Sequence, residues 1–347
     1  MTLIKSLQLT WLSPQRIKQI SFGEVTSHKT INARTWKPEP GGLYDPRIFG
    51  PFLNYECYCG KYKEKQNKGQ KCERCEVLIA EKNIQRWRLG HIILPSPVVN
   101  VLMFKTLASQ WSKLLGIASK KLEDIIYFRS YVVLDNGLSK CVKKKEVFAK
   151  KVSYQVIDDI LEEIIQNKES KNSVVIKAKE LQEKIGEKSS AESVEESTVF
   201  FEDYLEFVTK HQKMKTGIGP EALQILLREL DLEDKLAQAQ AKKKYEEIRF
   251  IRAFQRAKIQ PEWMIMNFLP VIPCGLRPIV KLKEENTVAT TQTVNLYHKI
   301  LLIKKRLSYY LELNKDSEIF FSDIIHNEKR RLQKAVDQAI YGSTINK

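Results

Sequence analysis

No run of about 18 consecutive apolar residues occurs in the 347-residue chain, so no segment is predicted to cross a membrane as a helix. The start, Met1-Thr2-Leu3-Ile4-Lys5, has neither the apolar core and cleavage site of a signal peptide nor the Arg- and Ser-rich character of a transit peptide. The chain is therefore expected to work in a reducing interior. Catalytic constellations are lacking as well. There is no Asp-rich metal motif, no glycine loop to cradle phosphate, and no triad around the five histidines. His91 and His298 lie in apolar stretches and read as packed side chains. An active site contained in these residues is not expected. Cysteine is scarce, six in all, yet four of them crowd into residues 57–75.

What the chain has in excess is positive charge. Lys and Arg number 58 against 42 Asp and Glu, a formal net charge of +16. Such an excess favours polyanionic partners, nucleic acid first and anionic membrane surface second. Part of it reads as plain solvated surface, as in Lys143-Lys144-Lys145 and Lys242-Lys243-Lys244. Hydrophobic residues make up 43% of the chain, enough for real cores, and the length suggests about two or three domains.

The clustered cysteines read Cys57-Tyr58-Cys59-Gly60 … Cys72-Glu73-Arg74-Cys75. Two close pairs can converge on one tetrahedral Zn²⁺, each thiolate about 2.3 Å from the metal. Cys72-x-x-Cys75 is a zinc-ribbon half-site, and Gly60 suits the positive φ of a tight knuckle. Cys57-x-Cys59 is a less usual half-site. Two disulfides or four buried thiols stay open on spacing alone, although a reducing interior favours metal. Lys61, Lys63, Lys65, Lys68, Lys71 and Arg74 make the intervening loop either a cationic finger or a solvated polar hairpin. An element this small has no core, so metal binding, on the order of 10 kcal/mol or more, would be its folding energy.

Composition divides the chain at 1–55, 56–80, 81–137, 138–200, 201–268, 269–292 and 293–347. The first segment carries Pro38, Pro40, Gly41, Gly42, Pro46, Gly50 and Pro51, which break helix and strand alike. Its Trp36, Tyr44 and Phe49, interleaved with Arg34, Lys37 and Arg47, form either an aromatic-packed loop or a nucleic-acid contact. Ile92-Ile93-Leu94 reads as a short strand stopped at Pro95, and residues 98–115 as a helix. Ser119 is the expected N-cap of a helix over 120–128, and Tyr131 to Leu134 a strand closed by Asp135-Asn136-Gly137. Residues 138–200 are Lys- and Glu-rich and read as an insertion, partly helical and partly disordered. Pro220 opens a helix, and 233–258 reads as one long charged helix. Arg277, between Pro273 and Pro278, either meets a phosphate or bonds loop carbonyls. Leu296, Ile300, Ile303, Leu307 and Tyr310 follow heptad spacing, and Ile325, Leu332, Val336 and Ala339 can face them from a second helix. Together these predict an α+β fold, mostly α, ending in an antiparallel coiled-coil hairpin. Lys304, Lys305, Arg306, Glu328, Lys329, Arg330 and Arg331 would lie on its outward faces.

The order of these elements resembles the N-terminal part of the largest subunit, beta-prime, of multi-subunit DNA-dependent RNA polymerase of the bacterial and chloroplast type. The matching stretches include Ser21-Phe22-Gly23-Glu24-Val25, Gly42-Leu43-Tyr44-Asp45-x-Arg47-Ile48-Phe49-Gly50-Pro51 and Cys59-Gly60-Lys61-Tyr62-Lys63. They continue through Arg88-x-Gly90-His91-Ile92, Pro261-Glu262-Trp263-Met264, Leu276-Arg277-Pro278 and Asn327-Glu328-Lys329-Arg330. In that family the Cys-x-Cys half-site is the normal one.

The resemblance implies a polymerase clamp. Cys57, Cys59, Cys72 and Cys75 would hold one structural Zn²⁺, and residues 34–51, with Arg34, Lys37 and Arg47, would be a zipper facing upstream DNA. Leu276-Arg277-Pro278 and the following polar loop would be a lid parting RNA from template, with Arg277 touching nucleic acid. The terminal hairpin would dock the sigma initiation factor through Lys304, Lys305, Arg306, Glu328 and Arg331. Implied partners are template DNA, nascent RNA, sigma, beta, alpha and the rest of beta-prime, with no membrane. The family's Asn-Ala-Asp-Phe-Asp-Gly-Asp loop, which holds the catalytic Mg²⁺, does not occur before Lys347. This suggests a split subunit whose Mg²⁺ is held by another chain. With heavy Lys and Ile usage, it suggests an algal chloroplast product, the bacterial cytoplasm being the alternative. A stand-alone zinc-ribbon DNA-binding transcription factor is the competing function.

Overall fold

Prolines and glycines decide where the elements fall, and a computed structural model describes them over residues 11–32, 34–166, 172–191, 198–200, 202–281, 288–316 and 322–342. In chain order they begin with α1 (Pro14–Ile20), β1 (Ser21–Glu24), α2 (Pro46–Phe49), β2 (Leu89–Val99), α3 (Val101–Leu115), α4 (Ser119–Ile126) and β3 (Ser130–Asp135). Next come β4 (Val147–Ala149), β5 (Lys151–Ser153), α5 (Tyr154–Gln166), α6 (Asn172–Ala191), β6 (Thr198–Phe200), α7 (Glu202–Gln212) and β7 (Lys215–Ile218). The last are α8 (Gly219–Arg228), α9 (Leu232–Ala241), α10 (Tyr245–Ala257), β8 (Ile265–Val271), β9 (Ile279–Lys281), β10 (Val288–Thr290), α11 (Gln292–Asp316) and α12 (Ser322–Tyr341). The fold is mixed α/β and mostly helical, with small sheets. The chain start, the end of the Lys/Glu-rich patch, the polar loop at 282–287 and the tip after Asp316 lie outside the described residues.

Two units result, one from Met1–Leu102 with Trp263–Lys347, the other from Met103–Glu262. In the first, β1 pairs parallel with β2, and β2 antiparallel with β8. The β2–β8 register runs Gly90↔Val271 to Ile93↔Phe268, then resumes at Val98↔Met266 after a shift. The shift spans Pro95 and Pro97, which have no N–H to give the ladder. The strand therefore does not stop at Pro95, as the sequence suggested. It bulges there and continues to Val99.

The core of this unit brings Val25, Leu43, Phe49, Ile92, Leu94, Val98, Leu269 and Val271 together with Ile300, Leu301, Leu307, Leu332 and Val336 of α11 and α12. The buried stripe of α11 begins at Val294 and Tyr297, which flank Leu296, the expected start, itself only half-buried. Lys299 Nζ donates to Gln338 Oε1 at 3.1 Å and Arg306 faces Glu328 at 3.6 Å, so α11 and α12 run in opposite directions where they meet. One buried polar group ties them to the sheet. Gln333 Oε1 accepts from Val99 N at 2.8 Å, while its Nε2 donates to Val99 O at 2.9 Å and to Asp337 Oδ1 at 2.7 Å. The Gln333 amide thus completes the end of β2 as a neighbouring strand would, satisfying backbone groups that burial would otherwise strand.

In the second unit β3 lies between β4 and β7. Its core joins Tyr131, Val133, Phe148, Val208 and Met214 with Ile157, Ile160, Leu161 and Ile164 of α5. Within the segment expected as a charged insertion, α5 lays an i, i+3, i+4, i+7 stripe directly into that core. The 233–258 helix is also corrected, because it breaks into α9 and α10. Lys243 takes φ 52° and Lys244 N donates to Ala239 O, a Schellman turn with lysine where glycine is usual. Ser119 does not cap α4. It is the first helical residue, and its Oγ donates to Ala108 O at 3.2 Å.

Candidate metal centre and the basic side chains around it

Residues 56–80 have almost no apolar interior. Cys57, Cys72, Val77, Ile79 and Ala80 are buried, and Tyr55, Cys59, Tyr62 and Cys75 pack partly buried against the cysteines and Ile79. Backbone turns do the shaping. Cys57 N donates to Tyr62 O and Cys72 N to Val77 O, both at 3.0 Å, so each cysteine pair sits in its own closed knuckle. The first knuckle turns at Gly60 with φ 76°, the second at Glu76 with φ 58°, where the side chain opposes the turn. An isolated bridge between Lys71 and Leu78 closes the second.

The four Sγ atoms lie within 4.8 Å of one another, and Cys59 Sγ is 3.5 Å from both Cys57 Sγ and Cys72 Sγ. A disulfide needs about 2.05 Å. Tetrahedral Zn²⁺ with bonds of about 2.3 Å needs sulfurs about 3.8 Å apart. The spacing fits a metal and not disulfides, and four cysteines leave no open coordination position, as in structural rather than catalytic sites. The thiols also lean toward ionisation unequally. Burial raises Cys72, but the N–H groups of Cys75 and Arg74 outweigh it and bring the thiol down to about 6. At Cys59 the Lys61 N–H favours the thiolate, but burial and three neighbouring thiols push it up to about 11. A cluster in which the first charge comes easily and the next is resisted is resolved by a divalent cation.

The lysine loop is less cationic than its sequence suggests. Lys61 pairs with Glu73 at 2.7 Å, Lys63 with Glu56 at 3.8 Å and Lys68 with Glu81 at 3.4 Å. Six cations in residues 56–80 face four carboxylates, and four thiolates with one Zn²⁺ add two negative charges. The loaded element would be close to neutral.

Beside the ribbon, residues 31–51 form a loop closed by its own polar groups. Asn32 Oδ1 accepts from Arg34 N and Thr35 N, and Trp36 follows with φ 56°. Arg34 and Lys37 are exposed. Lys37 Nζ stands over the Tyr58 ring, 5.6 Å from its centroid, and Tyr58 Oη donates to Pro38 O. A cleft of about 430 Å³ opens here, lined by Trp36, Lys37, Phe52, Tyr58, Cys59 and Lys63. Tyr58 was not singled out in the sequence, although its place between two ligand cysteines fixes it against this loop. Arg47 is exposed but held by an ion pair. Its guanidinium pairs with Asp45 at 2.7 Å, and Asp45 is 1% exposed and also accepts from Gly41 N and Arg47 N.

Arg277 is corrected outright. It is 0% exposed. Its Nε donates to Ile272 O at 2.9 Å and Nη2 to Leu43 O at 2.6 Å, while the guanidinium lies 4.7 Å from the Phe49 ring centroid and 4.9 Å from that of Tyr44. Tyr44 Oη donates to Arg277 O at 2.7 Å, and burial pushes that hydroxyl up to about 12. A phosphate cannot reach this arginine. Leu276 and Pro278, on either side of it, are the exposed side chains.

The charges expected on α11 and α12 divide in two. Lys304 is turned inward to Glu24 at 2.8 Å, and Glu328 is buried between Arg331 and Arg306. Lys305, Arg306 and Arg331 are exposed.

Four cysteines with zinc-like spacing in a small element with little core of its own define a candidate structural zinc site. The chain belongs to the family described as RNA polymerase Rpb1, domain 1, whose model matches residues 1–345. It is 35% identical over 352 residues to "DNA-directed RNA polymerase subunit beta'" of Mesoplasma florum, covering 96% of this chain and 27% of that relative. The protein of the same name from Ureaplasma urealyticum is 36% identical over 369 residues, with the same coverage. That of Mycoplasma genitalium is 33% identical over 370 residues, covering 99% of this chain and 28% of the relative. The chain thus spans little more than a quarter of the relatives it matches.

Proposed function

We propose that these residues form the DNA-gripping clamp segment of a multi-subunit DNA-dependent RNA polymerase, contributing to nucleotidyl transfer as part of that assembly. The observation that carries this is the family match over residues 1–345 joined to a four-cysteine cluster with zinc-like spacing. Cys57, Cys59, Cys72 and Cys75 hold one structural Zn²⁺, which supplies folding energy to the ribbon and no chemistry. Exposed Arg34 and Lys37 meet the phosphates of upstream DNA. The 269–292 segment acts as the lid, with Leu276 as its apolar tip against the RNA–template hybrid. The α11–α12 pair is the coiled-coil hairpin that docks sigma through Lys305, Arg306 and Arg331. Template DNA, nascent RNA and the beta, alpha and remaining beta-prime segments are the partners. The aspartates that hold catalytic Mg²⁺ lie outside residues 1–347. The relatives named above are bacterial, which favours a bacterial cytoplasm over the chloroplast that Lys and Ile usage suggested.

Residues 1–347, produced with a tag, are expected to assemble with the polymerase segment that carries the aspartate loop and to make no RNA alone. Recovery as a stable monomer with its own sequence-specific DNA site would instead indicate a stand-alone transcription factor. Within the assembly, Arg306→Glu and Arg331→Glu are expected to weaken sigma binding by roughly tenfold while changing non-specific DNA binding less. Arg331→Glu also meets buried Glu328, so circular dichroism of each variant must match the parent. Equal losses of sigma and DNA affinity would count against a sigma dock.

A further inference from the structure

The four ribbon cysteines do not lie at equal depth. Cys57 and Cys72 are buried, whereas Cys59 and Cys75 are half-buried. Cys59 lines the cleft of about 430 Å³ between the ribbon and the 31–51 loop. Trp36, Phe52 and Tyr58 give that cleft apolar walls, and Gly60, which also lines it, sets no side chain beside Cys59. The backbone at Gly60 takes φ 76°, a conformation that favours glycine there. Lys63 at the same cleft is turned to Glu56, 3.8 Å away. Cys57 also borders the cleft, but it is 3% exposed and its Sγ already accepts from Tyr62 N at 3.3 Å. Cys75 lies instead on a smaller cavity of about 220 Å³, lined in part by Arg47 and Arg74. Cys59 stands between two further thiols, with Cys57 Sγ and Cys72 Sγ each 3.5 Å from its own.

We propose that Cys59 is an oxidative modification site, the sulfur through which a small uncharged peroxide opens the metal centre. The proposal rests on the reading of the four cysteines as a structural zinc site. Apolar walls disfavour a charged oxidant and leave a neutral one free to enter. The Cys59 thiolate attacks one peroxide oxygen, so that an S–O bond forms and the O–O bond breaks. The hydroxide that departs takes a proton from solvent and becomes water. The thiolate of Cys57 or Cys72 then attacks the sulfenic acid on Cys59, forming an S–S bond as the S–O bond breaks. A second hydroxide leaves and is protonated. Two thiolates have lost two electrons in all, and hydrogen peroxide has become two waters. The sulfurs need only close from 3.5 Å to about 2.05 Å.

A disulfide takes two of the four ligands from a site that needs all four thiolates. The metal is released, and residues 56–80 lose the binding energy that folds them. Reduction of the disulfide restores both thiols and lets the metal return. Cys59 thereby ties the fold of the ribbon to the redox state around it.

The test loads the full 347-residue chain with zinc and adds hydrogen peroxide. Zinc release is followed with a chromogenic chelator, and thiols are mapped by alkylation and peptide mass spectrometry. Zinc is expected to leave in step with one disulfide that contains Cys59. Dimedone present during the reaction is expected to label Cys59 as the sulfenic acid. Cys59→His keeps a ligand for the metal and is expected to slow release roughly tenfold, while Cys75→His releases at the parent rate. Leu53→Trp adds bulk at an exposed residue lining the cleft, and is expected to slow release without changing zinc content. Dimedone on Cys75, or a disulfide that omits Cys59, would overturn the assignment. So would release from the Cys59→His chain at the parent rate. Should a histidine variant fail to load metal, the dimedone map of the parent decides. A parent that holds zinc and keeps it under peroxide defeats this inference alone. A parent that takes up no zinc defeats the metal-centre reading with it.

Discussion

Cys72→Ser is expected to strip the metal and unfold residues 56–80 while leaving both larger cores standing. The ribbon buries Cys57, Cys72, Val77, Ile79 and Ala80, with Tyr55, Cys59, Tyr62 and Cys75 partly covered. That interior is far too small to offset the entropy of ordering some two dozen residues at about 1–2 kcal/mol each. Structural Zn²⁺ contributes about 10–16 kcal/mol in such elements, so the fold and the metal are lost together. Atomic absorption should find one zinc per parent chain and none in the variant. Limited proteolysis should cut the variant first between Lys61 and Lys71. Cys141→Ser, at an exposed thiol outside the cluster, should keep its zinc. A zinc-free chain that resists protease across this loop would refute the metal-dependent fold.

The second large effect is expected at Arg277, where the fold has spent a fully buried cation on architecture. Arg277→Ala removes two charge-assisted hydrogen bonds and two aromatic contacts, and leaves the Ile272 and Leu43 carbonyls buried without donors. The cavity adds to that loss, giving an expected destabilisation of about 3–5 kcal/mol. Arg277→Lys keeps the charge but cannot serve both carbonyls with a planar fork, and should recover only a minor part. Chemical denaturation of the first unit reads the difference as a lowered midpoint. A variant that stays as stable as the parent yet loses DNA affinity would mean that Arg277 reaches nucleic acid after all.

The metal centre was legible because four thiols at ribbon spacing have few other uses. The Pro220 helix start and the 131–134 strand were legible for equally local reasons. What could not be read depended on distant partners. Proline at 95 and 97 argues against a strand, and only the β8 ladder resuming at Val98 shows that β2 goes on. Ile157, Ile160, Leu161 and Ile164 carry a helical stripe, but the surrounding Lys and Glu made the segment look detached. Lys243 holds a turn that glycine usually marks, so nothing in its neighbourhood announced the break between α9 and α10. Arg277 stood between two readings, and its carbonyl partners lie up to 234 positions away in the chain.

The first unit's central sheet has a consequence for synthesis. Gly90 on β2 pairs with Val271 on β8, and the whole of Met103–Glu262 is made between them. At roughly 5–20 residues per second, β2 waits on the order of ten to thirty seconds with one edge uncovered. Ordering long-range pairs is slow even after release. The four cysteines, by contrast, are complete within 19 positions and can capture zinc while the ribosome is still building the second unit. The metal knuckle is then the first tertiary structure the chain acquires, and the sheet that anchors α12 through Gln333 is the last. Protease pulses on nascent chains arrested at increasing lengths would reveal this order, with the ribbon protected before β2. Simultaneous protection of ribbon and β2 would contradict it.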